Sequence, residues 1–310
     1  MTYQGPEFEE APAGRSRWVR RPVVVVVGAL AAGGLLGWGA YAATGNGGGA
    51  GTAASAPGAS SAPSAHGASA RPTADGKAAG GKAGGPLAGK VIVIDPGHNP
   101  GNYRHTAEIN RTVDIGTHRK ECDTTGTATN AGYSEARYTL DVAHRLRTLL
   151  QAQGATVKLT HDGDKPAWGP CVDQRARIGN TAHADAAISL HADGAPAGDR
   201  GFHVIMPGSV HAGIADTRRI VAPSHDLGVR LAGAYRRVTG EPVSNYLGHG
   251  TGLVTRTDLG GLNLSTVPKV FIECGNMRDK KDAALLTSGA WRQKAAQGMS
   301  EGIADFLRGS

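Results

Sequence analysis

A single α/β domain, a mixed and mostly parallel β-sheet flanked by helices, is what residues 89–310 predict. Two observations predict it. Short apolar runs of strand length recur along this stretch, and amphipathic stretches of helical period stand between them. Strands that alternate with helices favour such a sheet over an all-β sandwich or a helical bundle. No internal repeat is visible.

The elements follow in order. Lys90–Ile94 reads as a buried strand stopped at Asp95, Pro96 and Gly97. Ser134–Gln151 reads as a helix, because Tyr138, Val142, Leu146, Leu149 and Leu150 fall on one face. Ser134 is its N-cap candidate, and Gly154 follows its end. Thr156–Thr160, Ala186–Leu190 and Gly201–Met206 are further strands, and Ser224–Val238 is a helix. Val267–Ile272 is a strand behind Pro268. Trp291–Leu307 closes the domain as a helix with Ala295, Met299, Ile303 and Phe306 on one stripe.

Three segments precede the domain. Residues 1–21 form a basic tail in which Arg15, Arg17, Arg20 and Arg21 cluster without an acid. Residues 22–43 carry no charge, and about 20 such residues suffice to cross the hydrocarbon layer as a helix. Arginines before the run and none soon after place the N-terminus inside and the domain outside the cell membrane, as a single-pass signal anchor. Ala40, Tyr41 and Ala42 also resemble a signal-peptide cleavage site, and cleavage near Ala42 would release the domain to the cell wall. Residues 44–88 hold much of the excess among the 47 glycines, with Ala, Ser and Pro, and too little apolar surface to fold. As a disordered linker they would span roughly 35–40 Å.

The net charge of +7 suits an anionic partner such as a wall polymer or a membrane surface. No RNP, zinc-finger or helix-turn-helix signature is present, so nucleic acid is not expected as a partner. Three cysteines, Cys122, Cys171 and Cys274, are too few for a disulfide scaffold and lack zinc-knuckle spacing. In an exported domain, one disulfide plus one free thiol is the simplest arrangement.

Chemistry-bearing residues gather where strands end. His98 follows the first strand, His191 ends the Ala186–Leu190 strand, and Glu273 ends the Val267–Ile272 strand. Open α/β sheets bind ligands at the carboxyl ends of their strands, so these three side chains can converge. Each alone also reads as an ordinary structural residue. Glu135 joins them from the first turn of the Ser134 helix. Its offsets of three and seven to Tyr138 and Val142 put it on the core-facing stripe, where an unpaired carboxylate costs several kcal/mol. Two imidazoles and a carboxylate make the His₂Glu set of catalytic zinc hydrolases, with a second carboxylate left for proton transfer.

Four motifs carry a family resemblance. Ile94-Asp95-Pro96-Gly97-His98, Ser134-Glu135 at the head of a helix, Ser189-Leu190-His191-Ala192-Asp193 and Phe271-Ile272-Glu273-Cys274-Gly275 occur in that order. The chain from 89 to 310 resembles the zinc-dependent N-acetylmuramoyl-L-alanine amidases of the amidase-3 type, and in particular their actinobacterial, mycobacterial-type members. The resemblance extends to Arg256–Leu264 and to Asn276–Asp279. It implies a peptidoglycan hydrolase that cuts the amide between N-acetylmuramic acid and L-alanine. It also implies one Zn²⁺ per chain, held by His98, Glu135 and His191, with Glu273 as catalytic acid and base. Partners would be the stem peptide and the glycan of peptidoglycan, with the enzyme acting as a monomer.

Asp95 is expected to shape the turn that aims His98 or to support that histidine, a plain turn role being the alternative. Arg256 would grip a stem-peptide carboxylate, or else form a surface salt bridge, and Asn263 is grouped with it near the substrate. The family's glycines after the first histidine are here Asn99 and Pro100, and Asn99–Tyr133 looks like an inserted loop or hairpin. An exported domain is expected to pair Cys122, in that insert, with Cys171, leaving Cys274 buried on the far face of its strand. Two rival readings stand beside the amidase: a zinc carboxypeptidase or aminopeptidase, and a non-catalytic wall-binding protein. The second would have been marked by loss of Glu273 or of a ligand, and neither is lost.

Overall fold

The computed structural model describes residues 84–309. β1 (Val91–Pro96) leads to a short α1 (Thr106–Ile109) and a hairpin of β2 (Thr112–Asp114) and β3 (Arg119–Glu121). Next come α2 (Glu135–Ala152), β4 (Thr156–Leu159), α3 (Val172–Thr181), β5 (Ala186–Asp193) and β6 (His203–Pro207). A small hairpin of β7 (His211–Ala212) and β8 (Ala215–Asp216) precedes α4 (Val221–Thr239), β9 (Leu253–Arg256) and α5 (Gly260–Asn263). The described chain closes with β10 (Lys269–Asn276), α6 (Lys280–Leu286) and α7 (Gly289–Arg308). The main sheet has the order β4-β1-β5-β10-β6-β9. β4, β1, β5 and β10 run parallel, while β6 pairs antiparallel with β10 and parallel with β9.

Side chains alternate across a strand, and here the two faces divide the labour. Ile92, Ile94, Ile188, Leu190, Val270, Ile272, Cys274, Val204 and Met206 belong to one apolar core together with Tyr138 and Leu146 of α2, Leu231 and Tyr235 of α4, and Met299 and Ile303 of α7. Burying each large side chain contributes ~1.5–3 kcal/mol. The intervening residues, Asp95, Ser189, His191, Phe271, Glu273 and His203, fall on the opposite face. The register sets Glu273 opposite both His191 and His203.

Several sequence expectations change in detail. Ser134 holds the N-cap position of α2, but its side chain makes no capping hydrogen bond. The packed domain includes residues before 89: Leu87 is fully buried, and its N–H donates to the Gln153 carbonyl at 2.9 Å. The expected basic tail (1–21) and membrane segment (22–43), and nearly all of the linker (44–88), lie outside the described residues. Among the described residues no helix is long and apolar enough to cross a membrane. The insert between Asn99 and Tyr133 contains the β2–β3 hairpin.

The insert is fastened twice. Cys122 and Cys171 form a disulfide that joins it to the N-cap of α3. Cys274 is free and buried. The second fastening is Arg175 of α3, which is 4 % exposed. Nε donates to the Pro170 carbonyl at 2.8 Å. Nη1 donates to Asp95 Oδ1 at 2.8 Å and to the Pro96 carbonyl at 2.6 Å. Nη2 donates to the His98 carbonyl at 2.9 Å and to Asp123 Oδ2 at 2.8 Å. All five N–H groups of the guanidinium therefore have an acceptor. Asp95 also accepts from Lys269 Nζ at 3.1 Å, so two buried acids meet two buried cations.

Three outcomes are expected. Replacing both Cys122 and Cys171 by Ser opens a loop set by a sequence separation of 49, and should lower unfolding free energy by ~2–4 kcal/mol in denaturant titrations. Burial alone would raise the Asp95 and Asp123 carboxyls, but Lys269 and Arg175 beside Asp95, and Arg175 beside Asp123, hold both well below their ordinary 3.8. A depressed carboxyl contributes stability above its unfolded value and loses it as pH falls through the folded one. Stability should therefore decline as pH falls below about 4. Arg175→Met removes the cation that the two buried acids share, leaves Asp95 with Lys269 alone, and should cost ~3–5 kcal/mol at neutral pH. A variant as stable as the parent at pH 7 would contradict this.

Candidate metal centre

His98 is the second residue past β1 and adopts a left-handed backbone, φ 61°. For a non-glycine residue this costs ~1–3 kcal/mol and persists only where surroundings enforce it. The Arg175 bond to its carbonyl supplies part of that enforcement. Nδ1 donates to the Thr124 carbonyl at 3.1 Å, with Asp123 Oδ1 at 3.5 Å, which leaves Nε2 as the coordinating atom. Nε2 faces Glu135 Oε2 at 3.2 Å.

Glu135 opens α2 and is buried on the same side as Tyr138 and Val142. Its Oε2 accepts from the Thr127 N–H at 2.9 Å, and Oε1 from the Ala192 N–H at 3.2 Å. Nδ1 of His191 lies 3.0 Å from Oε1. On the other side of that ring, Nε2 donates to Ser189 Oγ at 3.4 Å, and Ser189 donates to Asp95 Oδ2 at 2.8 Å. Phe271 stacks on the His191 ring, centroids 5.3 Å apart. Two glycines make room: a Cβ at Gly126 would sit 2.7 Å from His98 Cδ2, and one at Gly97 would sit 2.4 Å from His191 Cε1.

One donor atom from each of His98, Glu135 and His191 lies within 4.8 Å of the others. A tetrahedral zinc with ligands at ~2.0–2.1 Å needs donors ~3.3 Å apart, close to the 3.2 and 3.0 Å contacts here. The electrostatics agree. Burial opposes charge on His98, yet Glu135 and Asp123 hold its imidazole up to about 10. Burial would raise Glu135, but His98 and His191 hold it well below the usual carboxylate range. The donor set thus suits a cation.

Glu273 stands beside this set on β10. Its buried Oε2 has no hydrogen-bond partner. Burial first, then the Glu135 and Asp193 charges, push its carboxyl well above the ordinary value. A cavity of about 180 Å³ opens between His98, His191, Phe271 and the insert residues Lys120 and Glu121.

The structure places three further residues named from the sequence. Asp95 does not touch His98: Thr160, Arg175, Ser189 and Lys269 surround it, and through Ser189 it supports His191. Asp123 and Thr124 take the place beside His98. The Arg256 fork is filled by Asp258, at 2.8 and 2.5 Å, so the salt-bridge alternative describes this structure. Asn263 is fully buried and donates to the Thr257 carbonyl at 2.9 Å, away from the donor set. The sequence reading missed Arg175, Asp123, Thr124 and Ser189. A faint signal existed for Arg175, since its offsets of four from Cys171 and three to Ile178 place it on one helical stripe.

Comparison with known proteins agrees with this geometry. The Amidase_3 model, described as N-acetylmuramoyl-L-alanine amidase, matches residues 92–305. An N-acetylmuramoyl-L-alanine amidase of Mycobacterium tuberculosis is 41 % identical over 226 residues, covering 71 % of this chain and 88 % of the relative. Crystal structures of N-acetylmuramyl-L-alanine amidases from Mycobacterium smegmatis and Mycobacterium abscessus are similar with TM-scores of 0.65 each, at 39 % and 37 % identity. They cover 72 % and 71 % of this chain, and 99 % and 100 % of their own. The match spans the strands, the donor set and the insert together, and on it the chain belongs to the N-acetylmuramoyl-L-alanine amidase family, Amidase_3.

Proposed function

We propose that this chain is a zinc-dependent peptidoglycan amidase in which His98, Glu135 and His191 hold one Zn²⁺ and Glu273 moves the protons. The carrying observation is the convergence of three donor atoms beside a carboxylate that has a buried, unpartnered oxygen. When bound, zinc supplies Lewis acidity that makes water a nucleophile near neutral pH and polarises the scissile carbonyl. Glu273 accepts a proton from the attacking water and delivers it to the L-alanine nitrogen as the bond to the lactyl carbonyl breaks. A carboxyl with a raised pKa suits both halves of that transfer. Ser189 and Thr124 fix the two imidazoles, and the cavity beside Phe271 is shaped to take a small part of the substrate. The membrane tether belongs to the same proposal. The charge-free run from 22 to 43 behind four arginines supports an anchor that keeps the domain at the wall.

The expected outcomes separate the two glutamates. Glu273→Gln should lose at least ~10²-fold in turnover on purified sacculi while keeping its zinc. Glu135→Gln should lose zinc itself, because a neutral amide is a poorer ligand, and chelation of the parent should abolish release of stem peptide. If Glu273→Gln lost its zinc while Glu135→Gln kept metal and activity, the roles would be reversed.

A further inference from the structure

His203 begins β6 directly opposite Glu273, on the same face of the sheet. It is 1 % exposed, and its Nδ1 is buried without a partner. Glu273 Oε2 is buried without a partner as well. Two orphaned polar atoms that can bond one another, a ring nitrogen and a carboxyl oxygen, thus belong to residues opposed across an antiparallel pair. Directly opposed residues have Cβ atoms ~5 Å apart, within one side-chain rotation or one bridging water of a hydrogen bond. Leaving a buried polar atom unmade is costly, and each such group in a native fold calls for a reason.

The surroundings hold the ring without satisfying it. Tyr246 meets it edge-on, centroids 5.9 Å apart, and the Tyr246 hydroxyl is fixed by donating to Asp193 Oδ2 at 2.7 Å. Burial lowers the His203 pKa to about 4, with Asp193 pulling upward and Arg256 downward, so the ring is neutral and carries one N–H.

We infer that His203 is the positioning partner of Glu273: its Nδ1–H holds Oε2, directly or through one water, and so aims the other oxygen at the attacking water. This rests on the reading of Glu273 as the proton-transfer group. Losing one hydrogen bond that aims the reacting carboxyl corresponds to about 10- to 100-fold in turnover.

The test uses the full chain loaded with zinc and a soluble N-acetylmuramoyl-peptide. His203→Leu should lower kcat about 10- to 100-fold with KM and zinc content little changed. His203→Asn, whose amide N–H lies where Nδ1–H does, should recover most of that loss, and His203→Gln should not. Combined with Glu273→Gln, the leucine substitution should cost nothing further, because the group it positions is gone. A leucine variant with parental kcat, or an equal loss in both Glu273 backgrounds, would overturn the inference. Should the leucine variant fail to fold, equal turnover of the Asn and Gln variants overturns it, and Asn well above Gln supports it. A Glu273→Gln enzyme with parental turnover would instead sink the amidase mechanism, and this inference with it.

Discussion

One buried guanidinium organises the region on which the chemistry depends. Arg175 touches the end of β1, the left-handed His98, the insert at Asp123 and the Pro170 carbonyl at once. Its planar fork meets five acceptors, which a lysine with three donors on a flexible stem cannot do. The two acids it neutralises have different duties. Asp95 steadies His191 through Ser189, and Asp123 sits against His98. The same cation therefore sets the orientation of both imidazoles, one through each partner acid. The Cys122–Cys171 disulfide lies beside it and fixes how far the insert can stray from α3.

The site sorts its two glutamates by environment. Glu135 and Glu273 lie close enough for each to feel the other, yet they are driven in opposite directions. Glu135 receives two backbone N–H bonds and faces two imidazoles, all of which favour the anion. Glu273 has burial and neighbouring negative charge, and no donor to its buried oxygen. Carboxyls pushed apart in this way are suited to separate tasks.

Much of this was legible in the sequence, for identifiable reasons. Strands β1, β5 and β10 were visible because their buried faces are unbroken runs of β-branched and apolar residues. Glu135 was visible because its helical offset contradicts its charge. The cysteine pair followed from compartment and loop context. What was hidden lies in elements whose signal is weak. α3 carries few apolar residues, and its inward face is occupied by Arg175, so its periodicity looks polar. Asp123 and Thr124 reach His98 from a loop next to the disulfide, through contacts that local sequence pattern does not mark. The link from Asp95 through Ser189 to His191 was hidden because it comes from the parallel register, which places Ser189 beside Asp95, and not from adjacency in sequence. Of the two readings of Arg256, the structure shows the salt bridge, with Asp258 against its fork.

The central proposal is a geometric one: three side chains from three elements would hold one Zn²⁺, His98 through Nε2 and His191 through Nδ1. An anomalous-difference map recorded at the zinc edge, on crystals of the metal-loaded protein, tests it most directly. The account predicts one peak per chain within ~2.0–2.2 Å of His98 Nε2, His191 Nδ1 and a Glu135 oxygen, with Glu273 outside bonding distance. A peak bound by Glu273 or Asp123 in place of Glu135, or lying away from the two histidines, would contradict it.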